Sequence, residues 1–302
     1  MKFISNANIQ WMAKRKLFFG FSIVLVVISI GIILGKGINY SIDFKGGSFI
    51  HVKFTENIPL EDVRAAFSGN EELGDLEIKN VGESSSNEVM IGVKKHENMG
   101  SGLTTISTIL ESKFPGKYEV MREEAVGPKI GSELKTQALW ATILSLLAII
   151  LYIAFRFEFK FGVAAVIPLF HDVIITLGVF TALGLEFSLP VVASFLTLIG
   201  YSINDTIIVF DRIRENLKAN FKSSVVDIID VSINSTLNRT IATSLATMIA
   251  VLCIFIIKTS VIRDFAFVMA FGIVVGTYSS IGIASAIIAS WNPESLRKTK
   301  KA

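Results

Sequence analysis

The run SLPVVASFLTLIGYSINDTIIVF, Ser188 to Phe210, decides the architecture. Its 23 residues, rising 1.5 Å each as a helix, are long enough to cross the ~30 Å hydrocarbon core of a bilayer. One carboxylate, Asp205, interrupts the run. A charge at the centre of a spanning helix costs about 2.5–3.5 kcal/mol on insertion scales, and those that persist face a bundle interior and do work there.

Five further runs are of spanning length: Leu17–Leu34, Ala138–Phe155, Gly162–Gly184, Thr240–Ile257 and Phe265–Trp291. The chain is therefore expected to be a polytopic α-helical membrane protein with six transmembrane helices. Composition agrees: of 302 residues, 51% are hydrophobic and 18% charged, against ~25% charged in soluble domains, and the mean hydropathy is +0.59. These figures exclude a disordered chain, a disulfide scaffold and an ordinary soluble enzyme. The single cysteine, Cys253, excludes an internal disulfide and a Cys-based metal site. A net charge of +3 with no basic patch gives no nucleic-acid reading. The first run is longer than a signal-peptide core and continues into Gly35-Lys36-Gly37 without a small-residue cleavage site, so it reads as a retained anchor.

Lys and Arg set the orientation. They occupy residues 1–16 (Lys2, Lys14, Arg15, Lys16), the second-to-third connection (Arg156, Lys160), residues 211–239 (Arg212, Arg214, Lys218, Lys222) and the tail 292–302 (Arg297, Lys298, Lys300, Lys301). The opposite side has only Lys258 and Arg263 in its short loops. Both termini are therefore expected in the cytoplasm and residues 35–137 outside. In residues 211–239 an apolar stripe, Val225, Ile228, Ile229, Val231 and Ile233, predicts an amphipathic helix lying at the membrane interface; a short re-entrant continuation of span five is the alternative.

The outer segment, Asn39 to Lys135, turns polar and is punctuated at Gly46-Gly47, Gly69-Asn70, Gly82 and Pro115-Gly116. Alternation predicts a strand over Ser48–Phe54, and a helix follows Pro59 with Val63, Ala66 and Phe67 on one face. Strands are expected at Leu76–Val81 and Glu88–Val93, around a Ser84-Ser85-Ser86 turn. A helix carrying Leu103, Ile106, Ile109 and Leu110 and a strand at Tyr118–Glu123 complete the order. This β-α-β-β-α-β succession is that of a small α+β ferredoxin-like domain, a fold that decides no function.

Three polar sites stand out within the spans. Asp205 follows Ser194, Thr197 and Tyr201 at spacings of three and four, which suggests a polar stripe along a hydrated path. Arg239 opens span five near the depth of Asp205, with Thr236, Thr240, Thr243 and Thr247 around it, so the two form a candidate switchable pair. His171-Asp172 lies near mid-span after Pro168, as a hydrogen-bonding node or a secondary proton relay. No second His sits at ligand spacing, so no metal is expected. In span six Gly272, Gly276, Ser280 and Ala284 recur every four positions, a close-packing signal.

These residues also carry a resemblance. Tyr40-Ser41-Ile42-Asp43-Phe44-Lys45-Gly46-Gly47 resembles the signature that opens the outer domain of the SecD/SecF family. Ala125-Val126-Gly127-Pro128, His171-Asp172, the run Tyr201 to Glu215, and Ser232 to Thr240 are similar to that family's spans as well. One small outer domain makes the chain similar to the SecF branch rather than to the SecD branch. The resemblance covers essentially the whole chain. It implies an RND-like membrane half, an accessory subunit of the Sec preprotein translocase that works with SecD beside the SecYEG channel. It also implies use of the proton motive force to draw unfolded preprotein across at the outer face. In that family an Asp in span four and an Arg in span five carry the proton path, matching Asp205 and Arg239. Asp43, Phe44, Gly46 and Gly47 would couple span one to the outer domain, although a plain structural turn explains the motif as well. No cofactor is expected; the coupling ion is H⁺, with Na⁺ left open by the Ser and Asn neighbours of Asp205.

The rival readings are an RND-type exporter of a small molecule or lipid, and a non-transporting assembly scaffold. An enzyme is not expected: no Gly-x-Gly-Asp pair, His-Glu-x-x-His helix or Ser–His constellation stands in the sequence.

Overall fold

A computed structural model describes residues 8–70, 73, 75–80, 87–94, 99–219, 223–256 and 260–291. Lys2, Gly82, the Ser84–Ser86 turn, Lys222, Ile257, Lys258 and the basic tail lie outside the described residues.

Among the described residues, six helices are long and apolar enough to span a bilayer. They are α1 (Arg15–Lys36, preceded by a 3-10 turn at Met12–Lys14), α5 (Pro128–Arg156), α6 (Phe159–Ala182), α7 (Leu189–Ala219), α8 (Val225–Ile256) and α9 (Ser260–Ser279). The last is extended by a π-turn, Ser280–Ala284, into α10 (Ser285–Ser290). The apolar stretches of α6, α7 and the sixth span are more than half buried, whereas those of α1, α5 and α8 are about one-tenth buried. The first three therefore form the interior and the others its flanks.

Residues 211–239 differ from the expected interfacial helix. α7 runs on to Ala219 and α8 begins at Val225 and continues without a break into span five. No Gly or Pro lies in residues 211–219 or in α8, so neither helix is broken there. The apolar stripe faces protein: Val225, Ile228, Ile229 and Ile233 are buried against Ile213, Leu217 and Met12, and only Val231 is exposed. α5 likewise starts at Pro128, well before its apolar run, because Pro at the first turn of a helix is favourable.

Between α1 and α5 lies the α+β domain: a short α2 (Ile42–Lys45), β1 (Gly47–Phe54), α3 (Leu60–Phe67), β2 (Asp75–Asn80), β3 (Glu88–Lys94), α4 (Met99–Lys113) and β4 (Tyr118–Val126). The sheet order is β2-β3-β1-β4, antiparallel throughout, which is the ferredoxin-like arrangement. Alternation in β1 sends Ile50, Val52 and Phe54 into a core with Val63, Phe67, Ile91, Ile106 and Leu110. The chain enters this domain through α2 and leaves it from β4 into α5.

Two apolar clusters close the membrane half. Phe180, Val191, Phe195, Leu198 and Ile273 fill the end nearer the α+β domain. Phe157, Phe161, Phe210 and Ile213 fill the opposite end. Along α6 and α7, His171, Asp172, Thr176, Ser202, Asp205 and Thr206 are buried between them.

Candidate ion-coupling site

Asp205 is buried on α7, 2% exposed. Ser244 of α8 faces its carboxylate, and Arg239, an exposed residue one and a half turns earlier on α8, attracts it through space. The Ser244 hydroxyl is 2.9 Å from that of Thr277 on α9. The structure thus brings Asp205 and Arg239 to one region without a hydrogen-bonded ion pair between them. The polar stripe read from the sequence divides: Ser194 and Asp205 face inward, while Thr197 is exposed together with Gly200 and Asn204. Ser202, between them, completes the inner face.

Asp172 lies deeper still, 1% exposed. Its Oδ2 accepts hydrogen bonds from Ser202 of α7 at 2.6 Å and Ser279 of α9 at 2.8 Å. Its Oδ1 is 2.9 Å from Nδ1 of His171. Two hydroxyl donors and a ring nitrogen around one buried carboxyl group meet the requirement that a polar group removed from water be hydrogen-bonded. The His171 ring lies beside that of Tyr278, 6.2 Å between centroids. Tyr278 donates to the Phe18 carbonyl at 3.0 Å and receives from Ser22 at 3.0 Å, which ties the node to α1. Among the described residues, Nε2 of His171 and the hydroxyls of Thr176, Tyr201 and Thr240 are buried without a protein partner.

The small residues of span six explain the close approach. A Cβ on Gly276 would stand 3.2 Å from Ser202, and one on Gly272 would stand 2.4 Å from Leu198. Sequence reading missed Ser279, Thr277, Ser244 and Tyr278, since a hydroxyl in an apolar helix more often bonds its own backbone. Which helices they face is visible only once the helices are packed.

The Asp43 motif is a joint between the two halves. Gly46 closes α2 at φ +72°, and a Cβ there would lie 2.8 Å from Cα of Pro128, so the motif packs directly on the start of α5. Phe44 is buried among Tyr40 and Phe187. Phe187 N–H donates to the Asn39 carbonyl at 2.7 Å and Ser41 N–H to the Phe187 carbonyl at 3.0 Å. Lys36 donates to the last-turn carbonyl of Ala182 at 2.7 Å, where a cation suits the helix C-terminus. The α6–α7 connection is therefore held by the segment that leads into the α+β domain.

A family profile described as "Protein export membrane protein SecD/SecF, C-terminal" matches residues 105–294, and the "SecD/SecF GG Motif" matches residues 31–56. A protein translocase subunit SecF from Calditerrivibrio nitroreducens is 45% identical over 297 residues, covering 97% of each chain. The chain belongs to the SecF family. Another protein of that name, from Vibrio alginolyticus, is 42% identical over 94% of this chain and 90% of its own. The crystal structure of SecDF, a translocon-associated membrane protein from Thermus thermophilus, is 36% identical at a TM-score of 0.84 over 95% of this chain. A SecDF structure in a super-membrane-facing form is 35% identical at a TM-score of 0.70 over 99% of it. The chain spans 39% and 41% of the length of those two chains, so it is similar to one part of each. Among the described residues no group of three His, Cys, Asp or Glu side chains could hold a metal ion.

Proposed function

We propose that this chain couples the proton motive force to the late steps of protein export, with Asp205 as its titrating group. Membership of the SecF family makes it an accessory subunit of the Sec translocase and a multi-pass protein of the bacterial inner membrane. The observation that carries the proposal is the burial of Asp205 in a polar layer closed at each end by an apolar cluster, with the Arg239 cation acting on it from the next helix.

Protonation removes the charge of Asp205 and with it the pull of Arg239, so the two protonation states favour different packings of α7 against α8. A proton falling through the membrane potential carries about 2.3 kcal/mol per 100 mV, a differential large enough to shift a two-state equilibrium about fiftyfold. Buried hydroxyls of Thr240 and Tyr201 without protein partners suit a hydrated route to that site. α7 then transmits its displacement through Asp43 and the α6–α7 connection to the α+β domain, which meets unfolded preprotein outside. With no cofactor invoked, the ion itself is the only ligand required.

A second membrane subunit, SecD, covers the face where Thr197, Gly200 and Asn204 of α7 and Ser235 and Arg239 of α8 are exposed. Polar groups at that depth are unfavourable against lipid, and the SecDF chains to which this one is similar are more than twice its length. Docking beside SecYEG, with both termini cytoplasmic by the Lys and Arg distribution, completes the arrangement.

The test is Asp205→Asn at matched membrane levels, timing release of a secreted reporter with the proton gradient intact. Release slowed as far as in cells lacking the protein is expected. An unchanged rate would remove Asp205 from the mechanism and favour a scaffold. Repeating the wild-type measurement with a sodium gradient in place of the proton gradient separates the two ions.

A further inference from the structure

Three consecutive residues of α9 reach three different helices. Successive side chains on an α-helix point about 100° apart, and here each finds a hydrogen-bonded partner. Thr277 meets Ser244 of α8, which faces Asp205. Tyr278 meets Ser22 and the Phe18 carbonyl of α1. Ser279 meets Asp172 of α6, whose same oxygen is held by Ser202 of α7. One turn of α9 thus touches Asp172 directly, through Ser279, and reaches Asp205 through Ser244.

The next residue begins the π-turn. Ser280 to Ala284 are all buried, and no proline explains the departure from α-geometry. A π-turn amounts to one extra residue in an α-helix, tolerated where surrounding packing imposes it and frequent at functional sites. Here Gly282 lies against the Phe18 ring, where a Cβ would stand at 3.2 Å. The Ser285 hydroxyl donates to the Ser280 carbonyl five residues back at 3.1 Å, bridging the widened turn. Just before it, the Ser279 hydroxyl has one proton but two acceptors in reach: Asp172 Oδ2 at 2.8 Å and its own helix's Gly276 carbonyl at 3.1 Å. That hydroxyl can release the carboxylate without being left unpaired.

We propose that the π-turn Ser280–Ala284 is the movable joint of the membrane half, letting Thr277–Ser279 turn as a unit so that rearrangement at Asp205 is passed to Asp172, with Ser279 as the positioning residue of Asp172. When the extra residue is absorbed elsewhere in the helix, the segment before it rotates relative to α10 while α10 stays anchored. The ionisable groups facing the pair are Arg239 by Asp205, His171 beside Asp172, and Tyr278 over the His171 ring. This inference rests on Asp205 being the titrating group.

The experiment compares variants of the full chain, coexpressed with SecD, at matched membrane levels. Deletion of Gly282 removes the extra residue and restores a continuous α-helix with both flanks in register. It is expected to accumulate normally and to slow reporter release about tenfold or more. Ser279→Ala is expected to slow release less, and in infrared spectra of the purified protein to shift a buried carboxyl band that Asp172→Asn abolishes. If the Gly282 deletion does not accumulate, Ser285→Ala decides, since it loses only the hydroxyl bridging the turn and is expected to slow release about threefold. A slow Asp205→Asn with wild-type rates in the Gly282 deletion, or in Ser285→Ala where that stands in, overturns the joint and spares the proton-coupling reading. A wild-type rate in Asp205→Asn overturns the reading itself. An unshifted carboxyl band in Ser279→Ala overturns its positioning role.

Discussion

The carboxylate of Asp43 accepts the main-chain N–H of Leu189 at 2.9 Å. Leu189 is the first residue of α7, and Pro190 after it has no N–H to offer, so a side chain from the α2 motif caps the helix that carries Asp205. A motif that reads in sequence as a glycine turn is in space an attachment between the entry to the α+β domain and the ion-coupling helix.

That cap can be weighed. Replacing a helix-capping Asp by Ala typically costs ~1 kcal/mol, and a carboxylate also suits the positive end of the helix dipole. Asp43→Ala is expected to speed hydrogen exchange at the Leu189 amide and slow reporter release at unchanged protein levels. Asp43→Asn keeps an acceptor and should lie between. Exchange at Leu189 indifferent to both substitutions would mean that the cap is not formed in the membrane.

Gly46 and Gly37 offer a matched comparison. Both have positive φ, +72° and +75°, but a Cβ on Gly37 meets nothing within 4 Å whereas one on Gly46 meets the Pro128 backbone at 2.8 Å. Gly37→Ala should cost only the backbone strain, about 1–3 kcal/mol. Gly46→Ala adds a clash with main chain that cannot swing aside, and thermal unfolding in detergent should show a clearly larger loss. Equal losses would show that α5 shifts freely against the motif.

How much of this was legible before folding follows from what each feature writes into the sequence. The spans are unbroken apolar runs, and the α+β domain alternates with period two in Ile50, Val52 and Phe54, so both appear by counting. Asp205 stands out because charge is rare in such a run. The stripe at Val225–Ile233 carries a helical period that does not say whether protein or membrane covers it, and only the packing of Ile213, Leu217 and Met12 against it decides. Ser279 and Thr277 are ordinary hydroxyls until α6 and α8 lie beside them. The π-turn leaves no proline or other break in the sequence, and the approach of Phe18 to Gly282 appears only once α1 lies beside it.

In the α+β domain, His51 on β1 gives a pH dependence. Burial pushes its pKa below the ordinary 6.5, outweighing Glu88, whose carboxylate lies 3.2 Å away, and Arg122 on β4 adds repulsion. The unfolded chain therefore binds the proton more readily, and domain stability falls as pH drops through 6.5 toward the lower folded value. Amide exchange in β1 and β3 should accelerate from about pH 8 to about pH 5 beyond the intrinsic chemical trend. His51→Gln should flatten that excess, and Glu88→Gln should steepen it. A profile untouched by His51→Gln would assign the effect to another group.

Asp172 allows a coupling measurement. Ser202 and Ser279 both donate to its Oδ2, from α7 and α9. Removing either hydroxyl leaves one donor on that oxygen, so Ser202→Ala and Ser279→Ala should each cost ~1 kcal/mol. Removing both strands a charged oxygen in a site 1% exposed, for which the penalty is the unmet desolvation of a carboxylate rather than a second ordinary hydrogen bond. The double variant should therefore lose more than the sum of the singles, with an interaction energy of about 0.5–3 kcal/mol. Asp172→Asn in the same background should recover much of that excess, because a neutral amide in that place needs fewer donors. Strict additivity would mean that a third group, His171 being the nearest, already neutralises the oxygen.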